Sequence, residues 1–297
     1  TLQMWFDHST NKVHQEDHTS TGRNTYSIYM AKNEAQGAHV ILYAPTEEKS
    51  DLSVSYSQFT AMDGSGATVD TSYFYEYYIN VEKVARQDLL GFTAENSFIR
   101  NGFTPEAIAP VESLNKGTGK FSIQQGKSQA LYIKLKTTAD TPSGWYSGTF
   151  DIKNSQGQGI KTAEVYAYVW DVTLPDENHL QTAIYVDYQS SGDAVYDAKY
   201  NYRLQAMDLP GTLNSSNPYL DDPRVSAFRI AKKIPGNYLG KMTTSEVAAV
   251  YNDLKTRSDW DEIEKKTYFY TIDEPTSQQQ IDYVRYLYAM PNYYRPT

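Results

Sequence analysis

Apolar and polar residues alternate with a period of two through most of the first 170 or so positions. The alternation comes in short segments: Tyr26–Met30, His39–Tyr43, Leu52–Tyr56, Tyr73–Val81, Gln129–Leu135, Gly148–Lys153 and Ala163–Val169. Period two puts successive side chains on opposite faces of a strand, so each segment predicts a strand with one buried face. Turn-forming clusters lie between them: Asp63-Gly-Ser-Gly66, Asn115-Lys-Gly-Thr-Gly119, Pro142-Ser-Gly144 and Asn154-Ser-Gln-Gly157. Many short strands separated by regular turns predict an antiparallel β-sandwich over residues 1–176. No internal repeat is evident.

The pattern changes at Asp171-Val-Thr-Leu-Pro-Asp-Glu177. From residue 177 to 297, strand-like and helix-like segments alternate. Leu180–Val186, Val225–Ile230 and the run that starts at Tyr268 read as strands. Ala194–Met207, Thr244–Arg257 and Ser277–Tyr288 read as helices. In the second of these, Thr244 is placed to cap the N-terminus, and Val247, Val250, Tyr251 and Leu254 share one face. Alternation of this kind predicts a parallel α/β unit of the (β/α)8 barrel type. A complete barrel takes about 250 residues, so the expectation is a partial one, either a reduced form or, as the ending at Met290–Thr297 favours, a piece of a longer protein.

The candidate chemistry lies in Thr267-Tyr-Phe-Tyr-Thr-Ile-Asp-Glu-Pro275. Aromatic and β-branched residues lead straight into two adjacent carboxylates, and a proline stops the run. That predicts a buried strand delivering Asp273 and Glu274 at its C-terminal end, where barrel enzymes keep their catalytic groups. Adjacent carboxylates are costly unless one holds a proton or a substrate group pairs with them. Acid/base chemistry follows, with glycoside cleavage the first candidate. Tyr270, Tyr185 and Asp187 sit on strands whose ends should face the same pocket, and are expected to bind substrate. The plainer reading of Asp273-Glu274 is a strand-end turn.

Composition narrows the rest. The formal net charge of −9 argues against nucleic acid as a partner. The absence of cysteine excludes disulfides, thiolate metal sites and a cysteine nucleophile. No apolar run is long enough to span a membrane. No leader is visible and the chain begins at Thr1, which reads as a mature or trimmed product. Tyrosine is abundant, 27 residues against 10 phenylalanines. An apolar ring with a hydroxyl at its edge suits a sugar, although half-exposed strand positions account for most of them.

Other motifs favour structural readings. His14-Gln-Glu-Asp-His18 spaces two histidines four apart, but Gln15 and Asp17 stand where zinc proteases need glutamate, so no metal is expected there. Gly126-Lys-Ser128 imitates the end of a phosphate loop, but Phe121 replaces the first glycine, and a hairpin turn is expected. Asp63-Gly-Ser-Gly66 lacks the later ligands of a calcium loop. Asp221-Asp-Pro-Arg224 reads as a turn before a strand, with Arg224 paired to an acid.

Five runs, in order, resemble the glycoside hydrolase family 123-like proteins of bacteria. They are Ala31-Lys-Asn-Glu-Ala-Gln-Gly37, Thr141-Pro-Ser-Gly-Trp-Tyr-Ser-Gly148, Val169-Trp-Asp-Val-Thr-Leu-Pro175, Asp221-Asp-Pro-Arg224 and Tyr268-Phe-Tyr-Thr-Ile-Asp-Glu-Pro275. The resemblance implies a sandwich ahead of a catalytic barrel. It implies exo-β-N-acetylgalactosaminidase-type activity, in which the substrate's own 2-acetamido oxygen attacks the anomeric carbon. Asp273 would then orient that group, and Glu274 would serve as general acid and base. No cofactor is implied, the partner is a glycan, and the expected location is outside a bacterial cell or on its surface. By the same resemblance, the barrel's later strands are expected to lie beyond this chain. Two rival readings are a non-catalytic carbohydrate-binding or cell-surface module, and a hydrolase whose second carboxylate lies on a missing strand.

Overall fold

The computed structural model describes residues 1–81, 102–184, 188–230, 244–268 and 275–289. The chain divides into two compact units, Thr1–Leu174 and Pro175–Thr297.

The first unit is built from strands β1 (Gln3–His8), β2 (Tyr26–Lys32), β3 (Ala35–Tyr43), β4 (Lys49–Tyr56), β5 (Phe59–Ala61) and β6 (Thr68–Val81). They are followed by β7 (Gly102–Pro110), β8 (Phe121–Ile123), β9 (Ser128–Lys136), β10 (Gly144–Lys153) and β11 (Gly159–Thr173). Along one layer the order is β1-β3-β9-β6, with β7 on the far side of β6. The other layer runs β5-β10-β11-β2, and β5 also pairs with β6. Their inner faces make one core. Ala38, Val40 and Leu42 of β3 and Leu131, Ile133 and Leu135 of β9 belong to it, as do Tyr146, Phe150 and Ile152 of β10 and Val165, Ala167 and Val169 of β11. Each large apolar side chain buried this way contributes about 1.5–3 kcal/mol.

All seven segments predicted from the alternation fall on strands. β1, β5, β7 and β8 add to them. The sandwich is not wholly antiparallel, because β2 pairs with β11 in parallel, Ile28 opposite Ala167 and Tyr29 opposite Tyr168. β3 also departs from simple alternation: Gly37 to Leu42 are all buried. A small second cluster of Trp5, Val13, Ile41 and Ala130 covers its outer face.

Three residues of the five sequence runs have structural reasons. Asn33 turns the chain between β2 and β3 at φ 58°, and its Nδ2 donates to the Leu174 carbonyl at 2.8 Å. The turn is thereby tied to the end of the unit. A Cβ on Gly37 would lie 2.3 Å from the Tyr132 hydroxyl and 2.5 Å from the Ile133 carbonyl. A Cβ on Gly148 would lie 2.3 Å from the Phe59 ring. Glycine stands there because another strand's side chain crosses the backbone.

The second unit is a small α/β region. Its helices are α1 (Tyr188–Asn201), α2 (Thr244–Leu254), α3 (Trp260–Lys265) and α4 (Gln278–Ala289). Strand β12 (Phe228–Arg229) pairs in parallel with β13 (Thr267–Tyr268). A parallel bridge joins Ile184 to Ala206. The core contains Tyr196, Tyr200, Ala206, Phe228, Val247 and Trp260. The predicted second and third helices are present. The first lies earlier than its predicted span, because Gln205 and Met207 hydrogen-bond with Ile184 as extended chain (Ile184 N to Gln205 O, Met207 N to Ile184 O). Among the described residues no barrel closes. What is present is a short run of parallel pairings with helices between them.

Candidate functional site

All five predicted site residues lie outside the described residues: Tyr185 and Asp187 in 185–187, and Tyr270, Asp273 and Glu274 in 269–274. What is described is the framework that leads to them. Ile184, immediately before Tyr185, is bridged to Ala206. The Arg229 amide donates to the Met207 carbonyl at 3.0 Å. Arg229 in turn stands opposite Tyr268, and the Ile230 amide donates to the Tyr268 carbonyl at 3.0 Å. The Tyr268 hydroxyl reaches the Met207 carbonyl at 3.4 Å. Short extended segments at 184, 206–207, 229 and 268 thus follow one another in chain order.

One ion pair sits inside this framework. Arg229 donates from Nε to Asp208 Oδ1 at 2.5 Å and from Nη2 to Oδ2 at 2.7 Å. Both side chains are buried, 6% and 8% exposed. A bidentate guanidinium–carboxylate pair satisfies both partners and fixes their planes. Asp208 was missed in the sequence, although Met207-Asp-Leu-Pro210 has the same form as Ile272-Asp-Glu-Pro275: an apolar residue, an aspartate, and a proline two positions on. Beside it, Gln205 is fully buried and accepts from the Ser226 amide at 2.7 Å while donating to the Ala206 carbonyl at 2.9 Å.

Asp221-Asp-Pro-Arg224 is a structural turn. Arg224 forks onto Asp222, Nη2 to Oδ2 at 2.6 Å, and reaches Asn201 at 2.7 Å. The Arg224 guanidinium holds the Asp222 carboxyl below its usual range. Asp221 is paired instead with Arg257.

In the first unit the histidine motif is taken up locally. The His14 amide donates to Asp17 at 3.0 Å, and the His18 ring stacks on Tyr43 at 5.2 Å. Among the described residues, no group of three or more histidines and carboxylates is placed to hold a metal ion. Gly126 is a turn residue at φ 74°, and Asp63 accepts from the Ser65 amide at 2.8 Å. A second polar pair was not foreseen. His39 on β3 and Glu76 on β6 meet at 2.5 Å, beside a cavity of about 290 Å³ lined by Lys12, Glu106, Ile108 and Tyr132 among others. The signal for it was a histidine and a glutamate in the middle of otherwise apolar strand segments.

No family model matches the sequence, and no curated protein does. Among solved structures, the chain is similar to a family 123 glycoside hydrolase from Clostridium perfringens, at 13% identity and a TM-score of 0.46 over 70% of this chain. The chain spans 38% of that hydrolase's length. It is also similar to the N-terminal domain of PorA, at 8% identity and a TM-score of 0.25 over 57% of this chain and 99% of that one. A third is MyfA, the major subunit of Myf fimbriae from Yersinia enterocolitica, solved with galactose, at 11% identity and a TM-score of 0.24 over 56% of this chain and 96% of that one. Likenesses of this size leave function to be argued from the residues.

Proposed function

We propose that this chain belongs to a glycoside hydrolase that removes a terminal 2-acetamido sugar, with Asp273 and Glu274 as the reacting pair. The observation that carries the reading is the parallel pairing of Phe228–Arg229 with Thr267–Tyr268. It sets Thr267–Tyr268, the residues that precede the Asp273-Glu274 segment in sequence, in a parallel pair, and in parallel α/β sheets ligands are bound beyond the carboxyl ends of the strands. The ordered sequence runs support the same reading.

In this mechanism the acetamido oxygen bonds to the anomeric carbon as the glycosidic C–O bond breaks. Asp273 holds the acetamido N–H, and the leaving oxygen takes its proton from Glu274. Water then opens the cyclic intermediate, giving its proton back to Glu274, and the anomeric configuration is retained. Tyr270, Tyr185 and Asp187 contact the sugar, and the protein works outside the cell or on its surface.

The test is a screen of the full-length protein on aryl β-N-acetylgalactosaminide and β-N-acetylglucosaminide. Turnover with inhibition by a thiazoline analogue of the same sugar supports the reading. Turnover only of glycosides without a 2-acetamido group overturns it.

A further inference from the structure

The outer face of the sandwich layer carries a cluster of exposed rings. Tyr29 on β2 stands opposite Tyr168 on β11, and Tyr168 stands opposite Trp145 on β10. Trp170, two residues along β11, completes the group. Direct cross-strand opposition and the two-residue repeat put all four on one face. Tyr29 is 54% exposed, Trp145 42% and Trp170 50%. The rings brace one another: Tyr168 meets Trp170 at 4.8 Å and Trp145 at 5.1 Å, both edge to face. Tyr29 lies stacked beside Trp170 at 6.2 Å, with 28° between the planes. Interlocked rings lose little freedom when a ligand arrives.

The next row on the same face is made of hydroxyls. Ser27 of β2 is opposite Tyr166 of β11, Tyr166 is opposite Ser147 of β10, and Ser147 is opposite Thr60 of β5. A strip of rings thus runs beside a strip of hydroxyl groups, each crossing adjacent strands about 4.8 Å apart. Of the nearby cations, Lys32 pairs with Asp171 at 2.6 Å, and Arg23, beside Ser27 and Tyr29, reaches the His8 ring at 3.1 Å.

From this juxtaposition we propose that the face is a binding platform for an extended, neutral oligosaccharide. Pyranose rings have apolar C–H faces and hydroxyl rims. The aromatic strip takes the first and the hydroxyl strip the second. Three strands' width matches two to three sugar residues, about 10–15 Å. Single-stranded nucleic acid also stacks on rings, but it needs a run of cations along its backbone, and the next residue of β11 on this face is Glu164, opposite Thr149. The platform goes beyond the catalytic reading, because every residue in it belongs to the first unit.

The test is affinity electrophoresis of the chain through gels containing glycol chitin, hydroxyethyl cellulose, xyloglucan or galactomannan. At least one should retard the wild type. Trp170→Ala and Tyr29→Ala should each weaken the retardation about tenfold, and Trp170→Phe should restore most of it. Melting temperature, followed in parallel, should be unchanged by these exposed substitutions, which separates lost binding from lost fold. No retardation by any of the four polysaccharides overturns the proposal. So does retardation that survives Trp170→Ala with Tyr29→Ala. Self-association that disappears in the same variants makes the occupant a second copy and overturns it as well. Glycosidase turnover scores none of these outcomes, so failure here and failure of the catalytic reading are distinguishable.

Discussion

His39 and Glu76 form a buried pair, 2.5 Å from Nε2 to Oε1, with side chains 5% and 9% exposed. The other ring nitrogen, Nδ1, faces the His8 carbonyl at 3.0 Å. Both nitrogens face acceptors, so the geometry suits an imidazolium donating twice. Burial works against the charge, but the hydrogen bond and charge of Glu76 outweigh it and hold the His39 pKa above its ordinary value. The pair clamps β3 to β6, and the His8 bond adds the end of β1.

The pH dependence follows from that sign. A raised folded pKa means the pair's contribution is fully present below the ordinary histidine value of about 6.5 and fades as pH rises through the folded pKa. The urea midpoint of the sandwich should therefore fall as pH rises from about 6.5 toward the folded pKa. Glu76→Gln should flatten this slope. Glu76→Ala, which strands a buried imidazole, should cost about 3–5 kcal/mol. A midpoint independent of pH in the wild type would show that folding does not raise the His39 pKa, and one that rises with pH would show that burial outweighs Glu76.

Gly148→Ala tests the close crossing of β10 by Phe59. The added methyl meets the ring at 2.3 Å, and Phe59 is fully buried. Overpacking of this kind costs about 1–3 kcal/mol. Phe59→Leu should relieve part of the cost in the double variant, and a thermal melt of the four proteins reads the coupling. Additive losses would mean that the ring is not the obstacle.

Arg229→Met should destabilise the second unit more than the first. It leaves Asp208 buried without its partner, at a cost of about 3–5 kcal/mol. The paired change Arg229→Met with Asp208→Leu should recover most of the loss, because two apolar groups demand no hydrogen bonds. Hydrogen exchange resolved by segment makes the measurement, with amides around 206–208 and 228–230 expected to lose protection first.

Glu274→Gln in the full-length protein should lower turnover by about 10²–10⁴-fold with sugar binding retained, since glutamine keeps the size but cannot shuttle a proton. Asp273→Asn should lose rate most clearly on nitrophenyl glycosides. Those leaving groups need little acid help but still need the acetamido group held. Full activity of Asp273→Asn on such a substrate would remove Asp273 from the mechanism.

Strand periodicity was legible wherever one face met the core and the other met solvent, as in Ala163–Val169. It misled where both faces were covered, as in Gly37–Leu42, because the cover comes from Trp5 and Val13, far away in sequence. The parallel partner of β2 was equally hidden, since pairing direction depends on which strand lies beside it. Helix α1 was placed too late because its C-terminal portion was read through Met207, where a bridge to Ile184 imposes extended chain.

What the sequence determined by itself is local: the periods, the turns at Gly126 and Asp63, the change of character at Asp171–Glu177, and the aromatic run that ends in Asp273-Glu274. Backbone preference and side-chain alternation act over a few residues, and a few residues are enough to read them. The tertiary structure alone decided that His39 meets Glu76, that Asp208 meets Arg229, and that Tyr29, Trp145, Tyr168 and Trp170 share one exposed face. Each of these depends on strand order and register. Those are set by the packing of the whole sheet, because a shift of one residue would turn every one of these side chains to the opposite face.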